Sequence, residues 1–173
     1  MHPVRRYFYL TSAVLSGASL VIMTILILAQ IGARSIGTVI PSSEDFAGWL
    51  LSATIFFGLA YTFQEGGHIR VTMLLTRLSA AKRRYLEFIN LVIGLAISGY
   101  LAYYTLFTVY ESYDFEDVTD TYLVLPLWIV QSPMALGSLF LFIAMADSFR
   151  VMLSGKTPQY VVNEDALSMS GAE

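Results

Sequence analysis

Four stretches without a formally charged residue alternate with short polar segments along the chain: 7–33, 46–64, 88–110 and 121–146, of 27, 19, 23 and 26 residues. A helix that crosses about 30 Å of hydrocarbon needs about 20 residues. Each stretch therefore predicts a membrane-spanning helix, with spans at about 8–33, 46–64, 88–110 and 123–146. The second is the shortest and is expected to tilt least. The first is too long for the apolar core of a signal peptide, which runs to roughly 7–15 residues, and reads as an uncleaved helix.

Between the second and third spans the pattern changes. Val71, Leu74, Leu75 and Leu78 follow i, i+3, i+4, i+7 spacing, and Arg70, Arg77 and Arg84 repeat every seven residues beside that stripe. This predicts an amphipathic helix over about 69–84 that lies on the membrane surface with its arginines at phosphate level. Anchoring to phospholipid is one reading, and a specific lipid or partner site is the other. The fold class is thus an all-α membrane protein: one four-helix domain over 1–153 with a surface helix, followed by a polar, mobile tail over 154–173.

Basic residues orient it. Arg5 and Arg6 precede the first span, and loop 34–45 holds only Arg34. Segment 65–87 holds Arg70, Arg77, Lys82, Arg83 and Arg84. Loop 111–120 holds none, and the C-terminal segment holds Arg150 and Lys156. Alternating sides places nine on one face and one on the other. By the positive-inside rule both termini and the surface helix are cytoplasmic.

Local signals refine the elements. Ser42 with Asp45 three residues later fits a loose capping box for the second span, where Glu44 and Asp45 also suit the helix dipole. Ser12 with Ser16, Ala13 with Gly17, Thr54 with Gly58, and Gly94 with Ser98 and Gly99 supply small residues for close helix packing in lipid. Tyr100, Tyr103, Tyr104, Phe107 and Tyr110 make a broad aromatic face toward the outer end of the third span. It is either an interfacial belt or a packing face for another membrane protein. Pro126 and Trp128 open the fourth span, and Pro133 should kink it. Glu111, Asp114, Glu116, Asp117 and Asp120 predict a short acidic outer loop.

Composition adds exclusions. The chain is 56% hydrophobic and only 13% charged, against about 25% charged in soluble domains. There is no cysteine, hence no disulfide framework or thiolate metal site, and a net charge of −3 gives no basic surface for nucleic acid. No Asp, Glu, Lys, Arg or His falls within the four charge-free stretches. Transporters and pumps ordinarily carry such residues around a midplane site. His2 and His68 both fall outside the spans, so axial haem ligation within the membrane is not supplied, and no cofactor is implied. Of the intramembrane amides, Gln131 lies deepest, beside Pro133, where it is placed to bond a freed carbonyl. The chain reads as a non-enzymatic subunit of a larger assembly. The competing readings are a self-sufficient homo-oligomeric four-helix transporter, which lacks its membrane carboxylate, and a redox-enzyme anchor, which lacks its histidines.

The order of several short motifs carries a family resemblance. Gln30-Ile31-Gly32-Ala33-Arg34 closes the first span, and Glu44-Asp45 opens the second, which contains Phe57-Gly58. His68-Ile69-Arg70-Val71 with Leu74 follows. Leu125-Pro126-Leu127-Trp128, Pro133 and Gly137 mark the fourth. Over roughly residues 8–150 this resembles the small, DctQ-type membrane subunit of tripartite ATP-independent periplasmic (TRAP) transporters. Asp45 stands where the family commonly has a second glutamate, and Ser35 where an aromatic is frequent.

The resemblance implies a role. A periplasmic binding protein delivers a small organic acid, and a large membrane subunit of the bacterial inner membrane carries it with sodium by an elevator movement. The small subunit packs on the static scaffold of the large one and binds no substrate. On this view Gln30 and Arg34 hydrogen-bond at the outer end of the bundle or across to the partner, and Glu44 and Asp45 pair with Arg34. His68 and Arg70 fix the turn into the surface helix, with Arg70, Arg77 and Arg84 on phospholipid. Trp128 anchors the fourth helix.

Overall fold

A computed structural model describes residues 3–65, 80–155 and 157–163. Four helices account for most of them: α1 (Pro3–Ser35), α2 (Ser43–Gln64), α3 (Ala80–Asp114) and α4 (Leu127–Leu153). All four are long and apolar enough to cross a membrane. The all-helical, four-span architecture of the sequence reading is present.

The helix ends differ from the charge-free stretches. α3 has 35 residues, about 52 Å at 1.5 Å per residue, and so is longer than the hydrocarbon layer is thick. Its first turns take up 80–84, the end of the expected surface helix. These residues (Ala80, Ala81, Lys82, Arg83, Arg84) are all good helix formers. The rest of that expected element, with Arg70 and Arg77, lies outside the described residues, as does His68. α4 starts at Leu127 rather than 123 because the preceding backbone is engaged elsewhere. Val118 and Pro126 form an isolated antiparallel bridge, with Thr119 N–H donating to the Leu125 carbonyl at 2.9 Å and Leu127 N–H to the Asp117 carbonyl at 2.9 Å. Leu125, before a proline, is held extended by the same steric rule.

The helices pack as an open row. α1 packs on α2, α2 on α4, and α4 on α3, and the start of α1 reaches α4 through the Phe8 and Phe140 rings, 5.1 Å apart. α2 and α4 are the inner members, and α1 and α3 are the edges. The seams are made by small and hydroxylic residues. Ser12 Oγ donates to the Phe57 carbonyl, and Ser16 Oγ to the Thr54 carbonyl at 2.7 Å. Across the α3–α4 seam, Thr105 Oγ1 and Ser138 Oγ are 2.7 Å apart. A Cβ on Gly58 would stand 3.1 Å from Ser16 Oγ, one on Gly94 3.2 Å from Met145 Sδ, and one on Gly99 3.1 Å from the Phe142 ring. The tightest approach is at Gly137, where a Cβ would fall 2.6 Å from the Phe56 carbonyl oxygen. The Ala13–Gly17 pair plays no such part, since Gly17 has open space around it.

The apolar core lies toward the end that carries the termini. It joins Tyr9 of α1, Ala60 and Phe63 of α2, Leu91 of α3, Leu141, Ala144 and Met152 of α4, and Tyr160 and Val161 beyond α4. The last two amend the reading of 154–173 as a mobile tail. Gly155, at φ +78°, turns the chain at the end of α4. Residues 159–163 then form a short helical piece, with the Tyr160 ring 5.0 Å from that of Phe63 and the side chain 1% exposed. Asn163 Nδ2 donates to the Gln64 carbonyl at 3.0 Å, satisfying one of the carbonyls that the end of α2 leaves open.

Two glycines on different surfaces test this packing. Gly137→Ala must push α4 off the α2 backbone and should lower stability by about 1–3 kcal/mol. Gly17→Ala, on an open face, should be neutral or stabilising by up to about 1 kcal/mol. Thermal unfolding of the two variants in detergent measures both.

Candidate functional site

The predicted polar residues gather where α1 turns into α2. α1 ends in a Schellman motif: Thr38 N–H donates to the Ala33 carbonyl at 3.0 Å and Gly37 N–H to the Arg34 carbonyl at 3.1 Å, with Gly37 at φ +78°. A left-handed residue is required there, and glycine takes it without a Cβ clash. The reversal brings two side-chain links into register. Gln30 Oε1 accepts the Ile40 N–H at 2.8 Å, and Arg34 Nη2 donates to Glu44 Oε1 at 2.5 Å. Gln30, Arg34 and Glu44 therefore form one clasp across the hairpin. It borders a crevice of about 210 Å³ whose other walls include Leu26, Ile27, Ile31 and Ala47. The ion pair is well exposed, with side chains 59% and 79% accessible, so its contribution is small.

Asp45 is not brought into the clasp, and among the described residues it makes no ion pair or hydrogen bond. The capping box does not form either. Ser42 adopts a left-handed conformation, φ 55°, and its hydroxyl makes no bond to the first turn of α2. Instead Ser42 Oγ accepts the Leu123 N–H at 3.1 Å, 81 residues away, and so ties the α1–α2 loop to the α3–α4 loop.

The second loop is more ordered than a plain acidic connection. α3 continues through Asp114 and closes with the same motif as α1. Asp117 N–H donates to the Ser112 carbonyl at 3.1 Å and Glu116 N–H to the Tyr113 carbonyl at 3.3 Å, with Glu116 in the left-handed position at φ 53°. Glu111 and Asp114 occupy the last turn of α3, the end at which the helix dipole disfavours negative charge. Trp128, second residue of α4, meets the edge of the Tyr113 ring at 5.9 Å. A crevice of about 490 Å³ runs between these rings and Asp114, Glu116 and Asp117. Arg84 is in the first turns of α3, far along the chain from this loop end.

Several polar residues lie outside the clasp. Gln64, at the end of α2, is only 2% exposed, and neither side-chain polar atom has a hydrogen-bond partner among the described residues. Gln131 Oε1 is also buried without one among them, so the expected bond from Gln131 to a carbonyl freed by Pro133 is not formed. Glu87 is buried near the start of α3 and is partnered, as is Asp147 in α4. The position of Gln64, Glu87 and Asp147 beside span ends, and of Gln131 deeper, was visible in the sequence, but burial depends on which helices meet. Among the described residues no three His, Asp or Glu side chains gather in a way that holds a metal ion.

Comparison with known proteins places this arrangement. The family model for the DctQ component of tripartite ATP-independent periplasmic transporters matches residues 23–155, most of the chain. The chain belongs to the DctQ family. A relative from Rhodobacter capsulatus, described as the C4-dicarboxylate TRAP transporter small permease protein DctQ, is 30% identical over 105 residues. That match covers 60% of this chain and 46% of the relative, so the chain spans about half the length of the protein it matches. For this DctQ-type chain, the family assignment agrees with the resemblance read from the motif order.

The clasp separates two kinds of contribution. Arg34→Ala should change stability by less than about 1 kcal/mol, because the pair is solvated. Gly37→Val should cost about 1–3 kcal/mol, because a β-branched residue is forced to positive φ. Unfolding of the purified variants in detergent at low and high salt measures both, and only the wild-type pair's small term should respond to salt.

Proposed function

We propose that this chain is the small integral-membrane subunit of a TRAP-type secondary transporter in a bacterial inner membrane. It packs on the scaffold of a large membrane subunit and supports sodium-driven, elevator-type uptake of a small organic acid delivered by a periplasmic binding protein. The observation that carries this reading is the DctQ family match over residues 23–155. The name of the Rhodobacter relative, which specifies C4-dicarboxylates, supports an organic acid as cargo.

The geometry supports a supporting rather than a conducting role. Among the described residues the crevices open toward the two ends of the bundle, two at the loop end and one between α1 and α4 at the end of the termini. The middle of each span holds no Asp, Glu, Lys, Arg or His, so a charged solute or ion has no charged relay within this chain. In this proposal the loop end faces the periplasm and both termini are cytoplasmic, as the nine-to-one distribution of basic residues supports. The clasp of Gln30, Arg34 and Glu44 stiffens the periplasmic end, with Asp45 left for the partner. Trp128 anchors α4 at the outer interface. His68, Arg70, Arg77 and Arg84 hold the cytoplasmic surface to phospholipid. The acidic residues kept against the dipole at the end of α3 suit a docking surface for the binding protein.

Reconstitution decides between this and an autonomous transporter. The chain alone in liposomes should move no organic acid under a sodium gradient. Uptake should appear only when the large subunit and the binding protein are added. Sodium-driven uptake by this chain alone would overturn the proposal.

A further inference from the structure

The two edges of the row are chemically unlike. The exposed face of α1 is aliphatic, with Val14, Val21, Ile22, Ile25 and Leu28 turned outward, and matches lipid chains. The exposed face of α3 carries Tyr100, Tyr103, Tyr104, Phe107 and Tyr110. Tyr100 and Tyr103 are 65% and 64% exposed and Tyr104 48%. The rings pack on one another along the helix, Tyr100 on Tyr104 at 4.4 Å and Tyr103 parallel to Phe107 at 6.3 Å. This holds them as a ridge.

Depth decides what covers that ridge. Tyr100 stands at the midpoint of the apolar stretch Tyr85–Asp114, and Tyr103 and Tyr104 lie about one turn, roughly 5 Å, nearer the loop end. Interfacial tyrosines sit at headgroup level, where the hydroxyl reaches water. These three do not. Side chains on a helix lean toward its N-terminus, so the rings lean back toward the middle of the span rather than out to the nearer interface. None of the three hydroxyls makes a hydrogen bond among the described residues. Bare to lipid, each would be a desolvated donor without an acceptor, which is costly. A second copy of the chain is a poor cover: it would set ridge against ridge, and the small residues Gly94, Ser98 and Gly99 that allow close approach are spent on α4 or buried.

Resting on the function proposed above, we infer that the tyrosine ridge of α3 is the surface on which the large membrane subunit docks. The hydroxyls of Tyr100, Tyr103 and Tyr104 donate to acceptors on its helices, and α1 is the lipid-facing edge. Aromatic residues with one polar atom are the usual anchors of such contacts.

The test uses the whole transporter. The unaltered chain is first shown to co-purify with the large subunit; failure of that step overturns the proposed function itself. A photo-crosslinking benzoylphenylalanine then replaces Tyr103 or, separately, Ile25. Adducts with the large subunit from position 103 and not from 25 are expected. With co-purification intact, adducts from 25 instead, from both, only with lipid at 103, or with a second copy at 103 would each overturn the docking face while leaving the function standing. The triple variant Tyr100→Phe, Tyr103→Phe, Tyr104→Phe removes three oxygens and keeps the rings. It should hold the large subunit about twentyfold less well at unchanged helix content. Retention equal to that of the unaltered chain would overturn the hydrogen-bonding role.

Discussion

Within lipid there is no hydrophobic gain in bringing one apolar helix against another, so association depends on how closely backbones approach and on the few polar groups that can pair. The contact between Gly137 and the Phe56 backbone is where this constraint is met most fully. It sets α4 against α2, and the edge helices hang from that inner pair. α1 attaches to α2 through hydroxyl-to-carbonyl bonds from Ser12 and Ser16, and α3 to α4 through Thr105 and Ser138 and the spaces left at Gly94 and Gly99. Donors that already belong to the helix surface supply the polar contacts, so no charge is needed in the middle of any span.

The four spans were legible because a run without charge is a one-dimensional signal and needs no knowledge of neighbours. The clasp of Gln30, Arg34 and Glu44 was legible for a similar reason: its members lie within a short hairpin, and a turn brings them together. What was hidden depended on distant partners. Ser42 has the sequence of a cap, but a left-handed backbone aims its hydroxyl at Leu123. The start of α4 moved because the Leu125 carbonyl accepts the Thr119 N–H and the Leu125 N–H donates to the Thr119 hydroxyl. Tyr160 sits in a stretch that reads as polar, and only the end of α2 provides the pocket that buries it. The order of helices in the row, with α4 between α2 and α3, was not legible because every span offers small residues. Only the three-dimensional fit distinguishes Gly58 or Gly137, which are used, from Gly17, which is not.

The aromatic face of α3 illustrates how depth changes the meaning of a residue. A tyrosine cluster on a membrane helix has a ready explanation at the headgroup level. Counted from the middle of the span, the same residues present hydroxyls to a solvent that cannot accept them. The aliphatic edge of α1 needs no such explanation.

Helices joined side by side are mechanically weak in one respect, because neighbours without charged or large interlocking contacts are free to slide past one another along their seams. The two bonds at the ends of α2 oppose that sliding at the middle seam. Ser42, at its start, holds the loop that leads into α4, and the Gln64 carbonyl, at its finish, receives Asn163 from the segment that follows α4. Two pins at opposite ends of one seam oppose sliding and splaying of α2 against α4, while the outer seams are each braced by direct helix-to-helix bonds. A displacement of one inner helix along its axis is thus carried to the other, and the register of the pair is kept.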